Sequence, residues 1–163
     1  MNEKIYEQAV RNYLDDVYRL ALSMTRNEAD AADVAQIVFI RLDKCRKSFE
    51  SESHLKNWLL KVTANESRSL LRSFWKRNVS TDLSQVAEPS SPGQEEKPEA
   101  FEKIEAILAR LSKAERMLVH LYYYEQMDQK SIARLMRISQ SAVSSRLYRI
   151  KRRMKEMWME EEQ

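Results

Sequence analysis

The sequence predicts an all-α chain, built as two small helical domains joined by a flexible linker. Three observations carry that prediction. The 163 residues include one Gly and three Pro, too few turn formers for the hairpins of a sheet protein. Apolar residues recur at three- and four-residue spacing along most of the chain, the period of a helix with one buried stripe. Every Pro and the lone Gly fall within residues 79–100, which hold no apolar periodicity and read as the linker. The expected domains are therefore residues 1–78 and 101–163.

Composition sets further bounds. A hydrophobic content of 43% supplies a core and argues against wholesale disorder. A charged content of 33% fits solvated helix faces, and a net charge of +3 is too small to mark a nucleic-acid binder by itself. What counts is where the basic residues lie. Cys45 is the sole cysteine, so no internal disulfide forms, which fits a reducing cytoplasm. No apolar run is long enough to span a bilayer, and the N-terminus MNEKIYEQ lacks a signal-peptide pattern. A cytoplasmic chain without membrane insertion is the expectation.

In the first domain, Ile5, Ala9, Tyr13, Leu14, Val17, Tyr18, Ala21 and Met24 keep helical spacing and predict a helix with a wide buried face. Asn27 is the expected N-cap of a second helix, with Asp30 in its first turn, where a carboxylate suits the helix dipole. Val34, Ile37, Val38, Leu42 and Cys45 mark that helix. It opens acidic and closes basic, an order that by itself stabilises a helix. FESESH, residues 49–54, breaks the pattern and reads as a loop. A third helix starts near Ser53, with Leu55, Leu59 and Val62 inside and Trp58 beside them. Its later part carries Arg68, Arg72, Lys76 and Arg77 amid Phe74 and Trp75. Basic residues among aromatics suit nucleic acid, because cations neutralise phosphates and rings stack on unpaired bases. Each ring taken alone is more simply a core residue.

The second domain is expected to hold four helices. Phe101, Ile104, Leu108 and Leu111 predict the first. Ser112-Lys113-Ala114-Glu115 forms a capping box before the second, whose inner face is Met117, Leu118, Leu121 and Tyr122. Residues 128–155, DQKSIARLMRISQSAVSSRLYRIKRRMK, read as a helix-turn-helix. Asp128 caps its first helix, with Ile132, Ala133 and Leu135 inside. Ser139 caps the second, with Val143, Leu147, Ile150 and Met154 as its buried stripe. At about 100° per residue, Ser141, Ser145, Tyr148, Arg149 and Arg152 then face outward. Hydroxyls and guanidinium groups on one face suit a DNA major groove. Arg146, Arg149, Lys151, Arg152, Arg153 and Lys155 form a basic run without an acid. The tail WMEEEQ is expected to fray.

Catalytic chemistry finds no footing. His54 and His120 lie far apart, and no zinc-ligand spacing exists. One Gly cannot build a phosphate loop, and no nucleophile sits in a recognised motif. No enzyme activity, cofactor, metal or small-molecule substrate is expected.

Two stretches carry a family resemblance. Asp30-Ala-Ala-Asp-Val-Ala-Gln-Ile-Val-Phe-Ile-Arg-Leu42 is similar to the region-two signature of bacterial RNA polymerase sigma factors of the extracytoplasmic-function group. Leu111-Ser-Lys-Ala-Glu-Arg116, running through Tyr122 to Ile132-Ala133, Ile138-Ser139 and Val143-Ser-Ser-Arg-Leu147, is similar to their region four. Trp58-Leu59 and Ala64-Asn65 fall between them where that family has a Trp-Leu and an Arg-Asn pair. Two motifs in this order, joined by a linker, are far more specific than either alone.

The resemblance implies a two-point promoter reader. Asp30, Asp33, Gln36 and Arg41 would bind the clamp helices of the largest polymerase subunit. Phe49, Ser53 and His54, with Asn65, Arg68 and Arg72, would hold the melted minus-ten element, the loop 49–55 taking a flipped base. Ser139, Gln140, Ser141, Ser144, Ser145, Arg146, Arg149 and Arg152 would read the minus-thirty-five element, and this domain would also touch the flap of the second-largest subunit. An anti-sigma factor is the further partner implied. The chain departs from the pattern at Ala32 and Ile37, where acids are usual, at Ser112, where Pro is usual, and at Arg137, where the turn usually has Gly. Without the resemblance, the basic helix would fit a transcriptional regulator that never joins polymerase. A regulator's first domain would usually contain strands, whereas this one reads as helical and basic.

Overall fold

The computed structural model describes residues 1–78 and 98–162, with side chains of 74–78 excepted. The stretch read as the linker lies largely outside the described residues, as do the side chains of Phe74, Trp75, Lys76 and Arg77. The described residues form seven α-helices, α1 (Glu3–Thr25), α2 (Glu28–Lys44), α3 (Glu52–Asn78), α4 (Glu99–Ala109), α5 (Lys113–Val119), α6 (Gln129–Met136) and α7 (Gln140–Glu161), with a π-helical turn, His120–Tyr124, continuing α5. The chain divides into two compact units, residues 1–90 and 91–163. Helix α4 starts at Glu99, two residues inside the stretch read as linker.

The first unit is a three-helix bundle in which each helix packs on the other two. Helix α1 ends at Arg26, held left-handed at φ 51°, ψ 30°. The Asn27 side chain then accepts the Asp30 N–H at 2.9 Å and starts α2 as expected. Val17, Ala21, Val34, Val38, Leu42 and Leu59 form the centre of the core. Tyr13, Phe49, Leu55, Trp58 and Val62 pack around it. The expected stripe differs in three places. Ile5 and Leu14 are 55% and 43% exposed, while Leu20 is fully buried. Ile37 faces solvent, and Phe39 takes an inner place on α2. Cys45 ends α2 and is half-buried. The reason is shared: a helical wheel says which residues lie together, but the packing of neighbours decides how much of that arc is covered.

In the second unit, α4, α5 and α6 all pack against α7. The Ser112–Glu115 capping box is present in both directions, with Ser112 N–H donating to Glu115 Oε2 at 2.8 Å and Glu115 N–H donating to Ser112 Oγ at 3.2 Å. Met117, Leu118, Leu121, Ile132, Val143 and Ile150 build the core. On α4 the buried residue is Ile107, while Phe101 and Ile104 are 45% and 43% exposed. The tail does not fray at Trp158. Met157 is buried, Trp158 Nε1–H donates to Glu162 at 3.1 Å, and Lys103 Nζ sits 4.0 Å from the centre of the Trp158 ring. Ion pairs Lys103–Glu162 at 3.6 Å and Arg110–Glu160 at 3.5 Å add to this docking of α7 on α4. The acidic composition of the tail hid the apolar anchors at its start.

Candidate nucleic-acid interface

The helix-turn-helix is built by two side-chain caps and one left-handed residue. Asp128 Oδ1 accepts the Ser131 N–H at 2.7 Å, and Ser139 Oγ accepts the Ala142 N–H at 3.1 Å. The Ser131 N–H also holds the Asp128 carboxyl below its ordinary pKa, because it favours the ionised acceptor. Between them Arg137 lies at φ 58°, ψ 43°, donating to Arg134 O, while Ile138 N–H reaches Ala133 O at 3.0 Å. That pairing is a Schellman closure, in which the left-handed position normally belongs to Gly.

Helix α7 then presents the expected face. Gln140, Ser141, Ser144, Ser145, Tyr148, Arg149 and Arg152 are exposed, and Ser139 just before them is too; Arg146 is half-buried at the edge of the stripe. Val143, Leu147 and Ile150 are buried behind them, with Met154 half-buried. The basic run is divided in its use. Arg153 Nη1 donates to Glu115 Oε1 at 2.5 Å, tying α7 to the start of α5. Arg152 pairs with Glu156 one turn on, at 3.5 Å in open solvent, where such a pair contributes little. Arg146, Arg149 and Arg153 share the wall of a cleft of about 400 Å³ beside Ser112 and Ala114. Glu115 lines the same cleft and pairs with Arg153, so the guanidinium groups there suited to a phosphate are those of Arg146 and Arg149.

In the first unit, Asp33, Gln36, Ile37, Ile40 and Arg41 lie exposed along one side of α2, with Asp30 half-buried at its head. Buried Val34, Val38 and Leu42 occupy the opposite side. Arg41 Nη2 meets Glu66 Oε1 on α3 at 2.7 Å, so this guanidinium also braces α2 against α3. The sequence pattern counts Ile37 among the apolar residues that mark α2 and passes over Ile40. Leu14, Tyr18, Gln36, Phe39 and Ile40 line a groove of about 600 Å³ between α1 and α2. The signal was available: Ile37 and Ile40 share the helical side of Asp33 and Gln36.

The loop after α2 packs around a ring. Phe49 lies edge-on to His54 at 5.4 Å and to Trp58 at 5.6 Å, which anchors the loop to the core. The core reading of Trp58 therefore holds. Ser51 starts α3, its hydroxyl accepting the His54 N–H at 3.1 Å. Ser53 and His54 are exposed at the first turn of α3. Asn65 and Arg72 are exposed and Arg68 is half-buried, all on one side of α3 by their spacing. Among the described residues no group of His, Cys, Asp and Glu could hold a metal, and no helix is long and apolar enough to cross a membrane.

Comparison with known proteins matches these two units to two family regions. Sigma-70 region 2 matches residues 9–77, and Sigma-70, region 4 matches residues 101–154. The ECF RNA polymerase sigma factor SigM of Bacillus subtilis is 28% identical over 158 residues, 96% of this chain and 94% of that protein. The probable RNA polymerase sigma factor RfaY of Xanthomonas campestris is 29% identical over 90% of this chain, which spans 38% of that longer protein. In fold, the chain is similar to the sigma factor RpoE of Bartonella quintana, solved in complex with the anti-sigma factor NepR, with a TM-score of 0.77 over 94% of this chain and 96% of that one at 22% identity. With both regions present, in order, on two helical units, the chain belongs to the sigma-70 family of bacterial RNA polymerase sigma factors, in its extracytoplasmic-function group.

Proposed function

We propose a division of labour within this sigma factor, which binds core RNA polymerase and directs it to specific promoters for transcription initiation. The outward side of α2 docks on the clamp helices of the largest subunit through Asp30, Asp33, Gln36 and Arg41, with Ile40 and Ile37, the latter at a position where an acid is usual, supplying apolar contact. The loop 49–55 captures an extruded base of the minus-ten element. Phe49, Ser53 and His54 shape that capture, while Asn65, Arg68 and Arg72 hold the strand. The second unit reads the minus-thirty-five element with the α7 face from Ser139 to Arg152 and touches the polymerase flap. The chain does this in the cytoplasm, and an anti-sigma factor is a further partner, as NepR is for the Bartonella protein.

The observation that carries the scheme is a hydroxyl-and-guanidinium face on α7, capped and aimed by a helix-turn-helix, in the same chain as the α2 stripe and the α3 cations. Its energetics are consistent. Melting costs on the order of 1–2 kcal/mol per base-pair step, and a captured base plus phosphate contacts offset that.

The test is direct. Purified chain with core polymerase should initiate at a defined promoter, and core polymerase alone should not. Failure to bind core polymerase or to start transcription on any genomic fragment would sink the scheme. Arg149→Ala should weaken upstream-element binding about tenfold, within the range of one bidentate base contact. Equal affinity before and after would remove Arg149 from that contact.

A further inference from the structure

We propose that His54 positions the loop between α2 and α3 and does not itself read the base held there. The inference rests on the reading of residues 49–55 as the base-capturing loop. Three contacts of the ring and backbone carry it. His54 Nδ1 accepts the Glu50 N–H at 3.3 Å. The His54 N–H donates to Ser51 Oγ at 3.1 Å. The imidazole lies edge-on to Phe49, which in turn lies edge-on to Trp58.

Together these close the segment 50–54 on itself and seat it over Phe49. An Nδ1 that accepts carries no proton, so the neutral ring holds its proton on Nε2. The amide of a loop residue has few ways to be fixed, and here the Ser51 hydroxyl and one ring nitrogen of His54 serve that purpose. The ring nitrogen nearest the backbone is thus committed to the shape of the loop, and the shape of the loop is what a captured base meets.

Two substitutions separate bracing from reading. His54→Asn keeps an acceptor near the Nδ1 position, and His54→Gln keeps a donor near the Nε2 position but no acceptor at Nδ1. Bracing predicts that Asn rescues and Gln does not. In spectra of the full chain, the wild-type His54 ring should show the Nε2–H tautomer. The Glu50 amide should exchange slowly in wild type and His54→Asn, and faster in His54→Gln and His54→Ala. Open-complex formation with core polymerase is then read on promoters carrying each of the four bases at the captured position. His54→Asn should stay within about twofold of wild type at the preferred base. His54→Gln and His54→Ala should fall about fivefold there, the size of one lost hydrogen bond, and so lose most of the base preference.

Retention of the preference by Gln with loss by Asn overturns the proposal, as does a Glu50 amide whose exchange ignores His54→Gln. A wild-type chain that opens promoters with no preference at any minus-ten base sinks the base-capture reading instead. The Glu50 measurement needs no DNA, so the two failures are distinguishable.

Discussion

Arg137 has to adopt a conformation that its Cβ resists. At φ 58° and ψ 43° it ends α6 left-handed, and the Ala133 and Arg134 carbonyls depend on that turn for their partners. A left-handed non-Gly residue costs roughly 1–2 kcal/mol, part of which Gly would return as unfolded-chain entropy. Arg137→Gly should therefore stabilise the second unit by about 0.5–1 kcal/mol. Arg137→Val, branched at Cβ, should destabilise it by more. Urea titration of the α7 amides checks both, and a Gly variant no more stable than wild type would show that the turn is unstrained. Arg26 and Gln126 are left-handed too, at φ 51° and 52°, in a chain whose one Gly lies elsewhere. The caps were legible in the sequence because capping depends on a side-chain oxygen at one position. Asn27, Ser112, Asp128 and Ser139 all do what their residue type predicts. The left-handed turn at Arg137 was legible only through the resemblance, since nothing in the residue itself announces it.

Among the α-helices, α5 is the shortest and is held at its ends. Glu115 serves two partners: it closes the capping box on Ser112 and receives Arg153 from α7. Burial alone would raise its carboxyl, but the Ser112 N–H and the Arg153 charge outweigh it and hold the group below its ordinary value of 4.5. A carboxyl held low in the folded state adds stability above the unfolded pKa, and that stability is lost as pH falls through the folded one. The second unit should thus lose stability as pH drops below about 4.5. Glu115→Gln should flatten part of that slope. Asp128 acts in the same direction, so the measurement is the difference between wild type and Glu115→Gln, not the whole slope. Ser112→Ala should cost about 1 kcal/mol at neutral pH. Identical acid slopes with and without Glu115 would place the linkage elsewhere. At this scale the sequence was less informative. Periodicity located every helix, yet Leu14, Ile37, Ile40, Phe101 and Ile104 were assigned inward or passed over, and all are exposed. Their arcs are apolar, yet the neighbouring helices among the described residues leave over a third of each residue exposed. The π-helical turn at His120 carried no sequence signal at all, because it inserts register without changing composition.

At the scale of the whole molecule, each unit has a core of its own. Leu59 is fully buried among α1, α2 and α3, and Met117 is fully buried in the second unit. Leu59→Ala should cost about 2–5 kcal/mol in the first unit and leave the α7 amides unchanged. The candidate site is divided in the same way, which is why no single stretch revealed it and two motifs in order did. The value of joining two weak readers is effective concentration. Residues 79–97 lie between Asn78 and Pro98, and at roughly 3.4 Å per residue they let those two ends separate by no more than about 70 Å. On the proposed scheme, once one unit holds promoter DNA within the polymerase complex, the other is confined near its own element. Residues 1–78 and 98–163, made separately and mixed, should each retain fold and a weak, salt-sensitive contact. The intact chain should support open-complex formation at concentrations about 10²–10⁴ lower than the mixture. Filter binding and transcription from one promoter, with the two preparations titrated side by side, measure that ratio. A mixture as effective as the intact chain would mean that one unit alone supplies the recognition, and the two-point reader would reduce to a single contact.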